Sequence, residues 1–494
     1  MRNIIIYSLI TALLAVSACS GFLDIRPEGT TPSTGMDYTK TENIFKPVSA
    51  AYASLRSSKA HVFAYICAFE ITSDNADKGS SPEDNPTAKA MDNFTFDASN
   101  SLVNELWEGY YDIVSAANNA IAQMALFREA AMNQQTLEYI GQCESEARVI
   151  RAYAYFNLVR MFGAVPIVDL VMTSEELASL KQADKEEVYS FIKEDLEYAI
   201  ERLPASYPKE DAGRITSYAA MAIKAKVMMY KGDWNEVAHL ADSVIASGRY
   251  GLLPVYRDVF SIDGENSRES LFEIQSSTLG QITGAAPYME YAYVQGPRGN
   301  TPANMQGWGF CTPSEDLIAF YERRGEIVRP ATVLLYRGSV TPEGDKISDM
   351  CTNPVYNGKV YTPSSYNRWS YNGYGFDQNV RILRYPDLLL MYAEALLNGA
   401  PVGSLTGMTA AEAVSLVRSR AGLQTLETLT LQDVWDERRA ELAMEEDRFF
   451  DLIRTGQASA VLSGKGFVEG KNNLLPIPSN QMQLNRNLVQ NPGY

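Results

Sequence analysis

Helical periodicity in two blocks, separated by a long stretch without it, is the feature that most limits how this chain folds. Apolar residues recur at intervals of three and four over much of residues 42–247 and 381–456, which predicts amphipathic helices packed on one another. The predicted helices are 44–55, 102–127, 137–162, 188–203, 217–230, 237–245, 383–397, 410–421 and 431–453. The chain is therefore predicted to be mostly α, with these two blocks forming one helical scaffold.

Two of the predicted helices form a pair with a known repeat pattern. Residues 217–230 and 237–245 flank the Lys-Gly-Asp-Trp turn at 231–234, and alanines occupy positions where the two helices would pack closely. A helix pair of about 33 residues is typical of a tetratricopeptide unit. One clear unit, with weaker helix pairs before it, predicts a scaffold of tetratricopeptide-like helix pairs.

The stretch between the two blocks, residues 248–380, has no helical period and accumulates Gly, Pro, Asn, Ser and Tyr. An irregular segment this long inside a compact protein is usually functional. We predict that it is a large, loop-rich insertion that carries the ligand-binding site. The last residues, 472–494, are rich in Asn and Pro and are predicted to form an extended polar tail.

The N-terminus has the pattern of an export signal. Arg2 precedes an apolar run over residues 4–16, which is too short to span a bilayer, and a Val-Ser-Ala-Cys motif ends at Cys19. This motif resembles a bacterial lipobox, with an ordinary cleavage site beside an unmodified cysteine as the alternative. We predict a signal peptide over 1–18, acylation of Cys19, and a lipidated tether over 19–41.

Composition excludes several classes of function. The 494 residues have a formal net charge of −17, and binding to nucleic acid needs clustered Lys and Arg, so nucleic acid is not predicted as a partner. His61 and His239 are the only histidines, which leaves few groups for metal binding or proton transfer. The sequence also has none of the common hydrolase, zinc-protease or nucleotide-binding motifs. We predict no catalytic residue, no metal, no cofactor and no enzymatic activity.

Carboxylates at helical spacing raise the alternative of a glycoside hydrolase. Glu437, Glu441 and Glu445 recur every four residues beside several arginines. A glycosidase needs one carboxyl group with a raised pKa and another that stays ionised. Arginines close to all three carboxylates lower every pKa instead, so the spacing is predicted to build structural ion pairs.

Aromatic residues are concentrated in the insertion. Residues 356–376 contain seven aromatic side chains among 21, whereas the whole chain is 11% aromatic. Sugar rings stack their apolar faces on aromatic rings, and their hydroxyls bind amide, carboxylate or guanidinium groups. We predict an oligosaccharide site, with Trp308 as the first stacking platform and about half of the insertion's tyrosines serving only to pack it. The candidate ligand-binding residues are Trp308, Tyr291, Tyr293, Trp369, Tyr371, Tyr374, Asp74, Asn75, Arg298 and Asn304.

Asp74 and Asn75 begin an acidic loop that ends at Gly79, as calcium-binding loops often do. Ala76 and Lys78 stand where an EF-hand needs oxygen ligands, which excludes that motif. The loop is predicted instead to offer carboxylate and amide groups to sugar hydroxyls. Two cysteines in the insertion, Cys311 and Cys351, are the pair that we expect to form a disulfide if one is present.

Several segments resemble the SusD/RagB family of nutrient-binding outer-membrane lipoproteins from Bacteroidetes. They are CSGFLD at 19–24, RVIRAYAYFNLVRMFG at 148–163, GRIT at 213–216, RYPDLLLMYAEA at 384–395, ERRAELA at 437–443, RFFDL at 448–452, LPIP at 475–478 and NPGY at 491–494. These segments occur in this order from residue 19 to residue 494, so the resemblance extends over nearly the whole chain after the signal peptide.

The resemblance implies a scaffold of tetratricopeptide-like helix pairs with a loop-rich ligand-binding part. It also implies an outward-facing outer-membrane lipoprotein that captures oligosaccharides and delivers them to a SusC-like TonB-dependent transporter. A peptide-binding member of the same family is the alternative.

Overall fold

The computed structural model describes residues 35–276, 290–300, 307–365 and 378–494. The predicted signal peptide and five candidate residues, Cys19, Asn304, Trp369, Tyr371 and Tyr374, lie outside these ranges. The chain divides into two compact units, Met1–Asn43 and Ile44–Tyr494. The described part of the first unit ends in a short 3-10 helix, Thr41–Asn43.

Helices make up most of the second unit, as predicted. In chain order they are α1 Phe45–Ser54, α2 Ser58–His61, α3 Phe63–Ile66, α4 Pro86–Asp92, α5 Ser101–Ala130, α6 Gln134–Phe162, α7 Ser174–Ser179, α8 Lys185–Ile200, α9 Ser217–Lys231, α10 Trp234–Ala246, α11 Tyr291–Gln295, α12 Glu315–Arg323, α13 Val328–Val333, α14 Tyr385–Leu397, α15 Ala410–Arg420, α16 Leu431–Leu442, α17 Arg448–Arg454, α18 Ala458–Leu462 and α19 Ser479–Leu484. A π-helix, Cys67–Ile71, continues from α3, and 3-10 helices cover Lys209–Asp211, Tyr256–Phe260, Ile262–Gly264, Gly358–Val360 and Ser463–Lys465.

The long helices pack in sequence to form the scaffold. Helix α5 packs on α6, α6 on α8, α8 on α9, α9 on α10 and α10 on α14, which in turn packs on α15 and α16. The predicted pair is α9 and α10: Thr216 accepts from the Ala219 N–H at the start of α9, and Gly232 ends it in the left-handed conformation. The mostly helical fold class is thereby confirmed.

The predicted helix over residues 431–453 is wrong in one respect, because it is broken between α16 and α17. Met444 and Glu446 both have positive φ angles there. The buried carboxylate of Glu70 accepts their backbone N–H groups at 3.1 and 2.8 Å, which replaces the hydrogen bonds that a continuous helix would make. Burial raises the pKa of Glu70 to about 7, although these hydrogen bonds lower it. A long-range contact therefore decides where α16 ends.

The described residues form three two-stranded antiparallel sheets, each with at least one strand from the insertion. They pair β1 Ala76–Gly79 with β3 Phe310–Pro313, β2 Ser270–Ile274 with β6 Val380–Arg384, and β4 Leu334–Tyr336 with β5 Val355–Asn357. Strand β2 lies near the start of the insertion and β6 at its end, so their pairing joins the two ends beside the scaffold. The first residues of the predicted helix at 383–397 belong to β6.

The C-terminal residues are folded onto the scaffold. The Leu475 N–H donates to the Met161 carbonyl at 2.7 Å, and the Asn491 amide donates to the Phe162 carbonyl at 3.0 Å. Ile477 is fully buried, and helix α19 interrupts the segment. The C-terminal segment is therefore polar in composition, as predicted, but it is packed on the scaffold and is not extended throughout.

Buried ion pairs connect the insertion to the scaffold. Arg384, at the end of β6, donates to Glu269 at 2.7 Å, to Glu441 at 3.1 Å and to Glu445 at 2.6 Å, and it is almost completely buried. Arg420 of α15 binds Glu269 and Glu441 as well. The predicted ion pairs of the glutamate series are therefore confirmed.

The arginines that neutralise these glutamates come from other elements than expected. Glu437 is bound by Arg324, Arg329 and Arg418. The arginines that neighbour the series in sequence bind aspartates instead: Arg438 binds Asp387 and Asp451, Arg439 binds Asp74 and Asp316, and Arg448 binds Asp74. Spacing along a helix identified charged positions but not their partners.

The four cysteines within the described ranges, Cys67, Cys143, Cys311 and Cys351, are buried free thiols, so the expected Cys311–Cys351 disulfide is absent. Over the same ranges, no helix combines the length and apolar character needed to cross a bilayer. Nor do the described residues bring together three or more His, Cys, Asp or Glu side chains in a way that would hold a metal ion.

Replacing Glu441 by Gln tests the ion-pair network. Burial opposes the charge of Glu441, but Arg420, Arg384 and Arg329 outweigh it and lower its pKa from 4.5 to about 2. The lowered pKa means that its stabilising effect is complete above about pH 4.5 and is lost as the pH falls toward 2. We expect Glu441→Gln to reduce the free energy of unfolding by about 3–5 kcal/mol at pH 7, measured by urea denaturation.

The exposed Glu427→Gln is the matched control for this variant, and it should leave the urea midpoint unchanged. The difference between Glu441→Gln and the unmodified protein should shrink below pH 4.5. Equal midpoints for the two variants at pH 7 would contradict the assignment of Glu441 to the network.

Candidate ligand-binding site

Backbone pairing brings two distant loops together at the ends of β1 and β3. Gly79 is paired with Phe310, and the next N–H, that of Ser80, donates to the Gly309 carbonyl at 2.6 Å. Residues 307–309 in turn bond to the segment around α11: the Trp308 N–H donates to the Tyr293 carbonyl at 2.9 Å. The loop after β1 and the loop before β3 therefore meet beside α11.

Trp308 and Tyr293 form an aromatic surface at this junction. The Trp308 residue is 37% exposed, and Tyr293 is half-buried beside it. Their ring centroids are 5.7 Å apart with planes inclined at 73°, an edge-to-face contact. Such a contact fixes the indole while it leaves ring surface open to solvent.

Polar groups surround the two rings. The Arg298 guanidinium donates to the Ser80 hydroxyl at 2.6 Å and forms an ion pair with Asp84. The Ser80 hydroxyl lies 2.8 Å from both the Trp308 carbonyl oxygen and the Asp84 carboxylate. The Asn353 amide donates to the Ser80 carbonyl at 3.3 Å, and its own side-chain oxygen has no hydrogen-bond partner among the described residues. We call Ser80, Asp84, Tyr293, Arg298, Trp308 and Asn353 the Trp308 platform.

Lys78 shapes the loop that supplies Ser80 and Asp84. Its ammonium group donates to the Ser81 and Asp84 carbonyls, both at 2.9 Å, and lies 5.5 Å from the centre of the Phe310 ring. These contacts close the turn over β3. Lys78 is itself buried, so it positions the loop and does not face a ligand.

Three predicted ligand-binding residues are buried and bound to other side chains of the protein, so they do not face a ligand. Tyr291 is 5% exposed and its hydroxyl donates to Glu446 at 2.5 Å, so it anchors α11 to the break between α16 and α17. Asp74 accepts from Arg448 at 2.7 and 2.9 Å, and Asn75 accepts from Arg439 at 3.0 Å. Burial opposes ionisation of Asp74, but Arg448 and Arg439 hold its pKa below the usual range. We therefore leave these three residues out of the Trp308 platform.

The structure brings together Trp308, Tyr293 and Arg298, three of the ten candidates named from the sequence. It adds three neighbours that sequence reasoning missed. Ser80, Asp84 and Asn353 reach the platform through tertiary pairing, and Ser80 and Trp308 are 228 positions apart. The only local signal was a run of turn-forming residues at 79–86, which predicts a loop without predicting its partner.

The platform suits binding better than bond cleavage. A ring with one open face accommodates an apolar sugar surface, and the adjacent guanidinium, carboxylate and amide groups match hydroxyls. Hydrolysis of a glycosidic bond usually needs two carboxyl groups on either side of it. Within the described residues, Asp84 is the platform's one carboxylate, and Arg298 neutralises it.

Comparison with known proteins agrees with these observations. The family model described as "SusD family" matches residues 332–494, and the model described as "Starch-binding associating with outer membrane" matches residues 21–229. Together they cover about three quarters of the chain. The chain belongs to the SusD family. The resemblance found in the sequence motifs is thereby confirmed.

Relatives span nearly the full length of this SusD-family chain. SusD-like protein P2 from Formosa agariphila is 28% identical over 98% of both chains. Among solved structures, a laminarin-binding SusD-like protein is 26% identical, with a TM-score of 0.79 over 92% of this chain and 99% of its own. Surface glycan-binding protein A from Bacteroides thetaiotaomicron, solved with laminarihexaose, is 25% identical, with a TM-score of 0.77 over 91% and 99%.

Gly79→Ala tests the loop junction that builds the platform. Gly79 has φ of +67°, and a Cβ atom there would lie 2.5 Å from the Gly309 carbonyl oxygen and 2.8 Å from a Thr312 methyl carbon. We expect the variant to lower the urea midpoint, because the backbone of the second loop must move.

Gly344→Ala is the matched control, since φ is +92° and nothing lies within 4 Å of its Cβ position. Its free energy of unfolding should fall only by the roughly 1–2 kcal/mol that an alanine in the left-handed conformation costs. Equal decreases in the free energy of unfolding for the two variants would show that Gly79 is not in close contact with the loop before β3.

Proposed function

We propose that this SusD-family protein binds oligosaccharides at the Trp308 platform. The observation that supports this most directly is the half-exposed Trp308 indole, braced edge-on by Tyr293 and bordered by the Arg298–Asp84 pair. An indole held in this way loses little conformational entropy when a sugar ring stacks on it. The neighbouring donors and acceptors are linked to one another, so they are pre-oriented for hydroxyl groups.

Laminarin oligosaccharides are the first ligands that we propose to test. One structural neighbour is a laminarin-binding protein, and another was solved in complex with laminarihexaose. Affinity should be modest, because an open platform buries little of the ligand and must release it again.

Delivery to a transporter is the second part of the proposal. The description of one matching family model includes association with the outer membrane. A lipidated Cys19 would tether the protein to that membrane, facing the exterior, where it would pass its ligand to a SusC-like TonB-dependent transporter. The protein itself would carry out no reaction, so bound oligosaccharide should be recovered intact.

Trp308→Ala is the direct test of ligand binding. We expect laminarihexaose to bind about tenfold more weakly or worse, because the stacking surface is lost, with an unchanged thermal midpoint. Isothermal titration calorimetry measures the affinity. Tyr336→Ala, which removes a 44% exposed ring of β4, is the control and should bind normally.

A glycan array and a peptide library screened in parallel decide the ligand class. Binding of peptides with no glycan binding would overturn the oligosaccharide proposal. Unchanged glycan affinity in Trp308→Ala would remove the platform from the site while leaving the ligand class intact.

Cys19→Ala tests the anchor. We expect this variant to leave the membrane fraction, because acylation requires the cysteine thiol, and immunoblotting of separated fractions measures it. The neighbouring Ser20→Ala variant should remain with the membrane. Continued membrane association of Cys19→Ala would refute lipid anchoring at this position.

A further inference from the structure

A cavity of about 690 Å3 lies at one end of the helical scaffold and shares no residue with the Trp308 platform. It is bounded by the last turns of α6, α9 and α14, the first turns of α8, α10 and α16, and helix α17. This volume is within the range of about 300–1,000 Å3 that is usual for small-ligand sites. We call it the helix-end cavity.

Two indoles give the helix-end cavity aromatic walls. Trp234, the first residue of α10, and Trp435 of α16 both line it and are half-buried. Trp435 donates its indole N–H to Glu394 at 3.0 Å, which fixes the plane of its ring. The indole N–H of Trp234 has no acceptor among the described residues, so it is available to a ligand.

The lining is positively charged, in contrast to the chain as a whole, whose net charge is −17. Lys185 and Lys231 lie 5.6 and 5.5 Å from the centre of the Tyr189 ring. Lys231 forms an ion pair with the largely exposed Glu186, a type of pair that contributes little stability, and Lys185 has no ion-pair partner in the described part of the chain. Glu394, the one acidic residue in the lining, is neutralised by Arg454.

Two further polar side chains of the lining have unsatisfied buried atoms. Arg160 is 9% exposed, and its guanidinium carbon lies 4.7 and 4.5 Å from the ring centres of Phe69 and Phe450. Its Nη1 makes no hydrogen bond within the described ranges but forms an ion pair with Asp447 at 3.8 Å. The buried Tyr230 hydroxyl likewise has no hydrogen-bond partner in these ranges. Both atoms are closed off from solvent, so they belong to the wall behind the cavity and not to the surface that a ligand would touch.

We propose that the helix-end cavity binds a carboxylated oligosaccharide, such as a short chain of uronic acids. The indoles match the apolar face of a sugar ring, and the lysines match a carboxylate that a neutral sugar lacks. The indole N–H of Trp234 can donate to a ring or hydroxyl oxygen. The site is additional to the Trp308 platform, and its existence does not depend on what that platform binds.

Titration with trigalacturonate and triglucuronate, beside neutral laminaritriose and inorganic phosphate, tests this inference. The full-length protein and Trp308→Ala should bind a triuronate equally well. The double variant Lys185→Gln/Lys231→Gln should bind it roughly tenfold more weakly, because two charge-assisted hydrogen bonds are removed. Trp234→Leu should also weaken triuronate binding. Raising the salt concentration from about 50 to 500 mM should weaken binding in the unmodified protein and in Trp308→Ala much more than in Lys185→Gln/Lys231→Gln.

The control is Lys193→Gln/Lys346→Gln, which removes two lysines that lie outside the cavity and pair with exposed carboxylates. This control should bind the triuronates normally. The proposal is overturned if neither triuronate binds, if phosphate binds while both triuronates do not, or if triuronate binding survives the cavity variants. Loss of triuronate binding in Trp308→Ala alone would assign the ligand to the platform and would likewise overturn it.

Discussion

Buried ion pairs between arginines and glutamates hold the insertion on the scaffold. Arg384 stands at the end of β6, where the insertion returns to the helices, and it contacts Glu269, Glu441 and Glu445 at once. Taking such groups out of water is costly, and removal of one partner would leave an uncompensated ion in the interior. The two ends of the insertion and helices α15 and α16 are therefore mutually dependent: none of them can shift without breaking this network.

A buried acid outside this network, Glu70, links the scaffold to the candidate site through hydrogen bonds. Glu70 accepts the N–H groups of Met444 and Glu446 and so ends the helical path between α16 and α17. The Glu446 side chain, turned by this break, accepts from Tyr291, two residues before the Tyr293 that braces Trp308. A binding surface built on loops gains its rigidity from this chain of contacts, because each loop is bonded to an element of the scaffold.

The Trp308 platform and the helix-end cavity differ in their chemistry. The Trp308 platform lies where insertion loops meet and pairs its charges internally, Arg298 with Asp84, which suits a neutral ligand. The helix-end cavity lies within the scaffold and has lysines without strong partners, which suits an anion. Because the protein is acidic overall, an anionic ligand would be repelled by most of its surface, and only a locally cationic site of this kind would hold it.

The sequence by itself determined the mostly helical fold, because burial patterns along a helix are a local property. It also predicted the irregular insertion and the aromatic site within it from composition. It also named Trp308, Tyr293 and Arg298 among ten candidate ligand-binding residues. Only the tertiary structure decided that Tyr291 is buried while Tyr293 is partly open.

Tertiary contacts likewise brought Ser80 and Asp84 to Trp308, and they broke the helix at residues 443–447. They also matched Glu441 with Arg384 and Arg420 in place of the arginines beside it in sequence. The physical reason is the same in each case. The exposure of a side chain and the identity of its charged partner depend on which distant segments pack together, and the spacing of residues along one segment does not determine that packing.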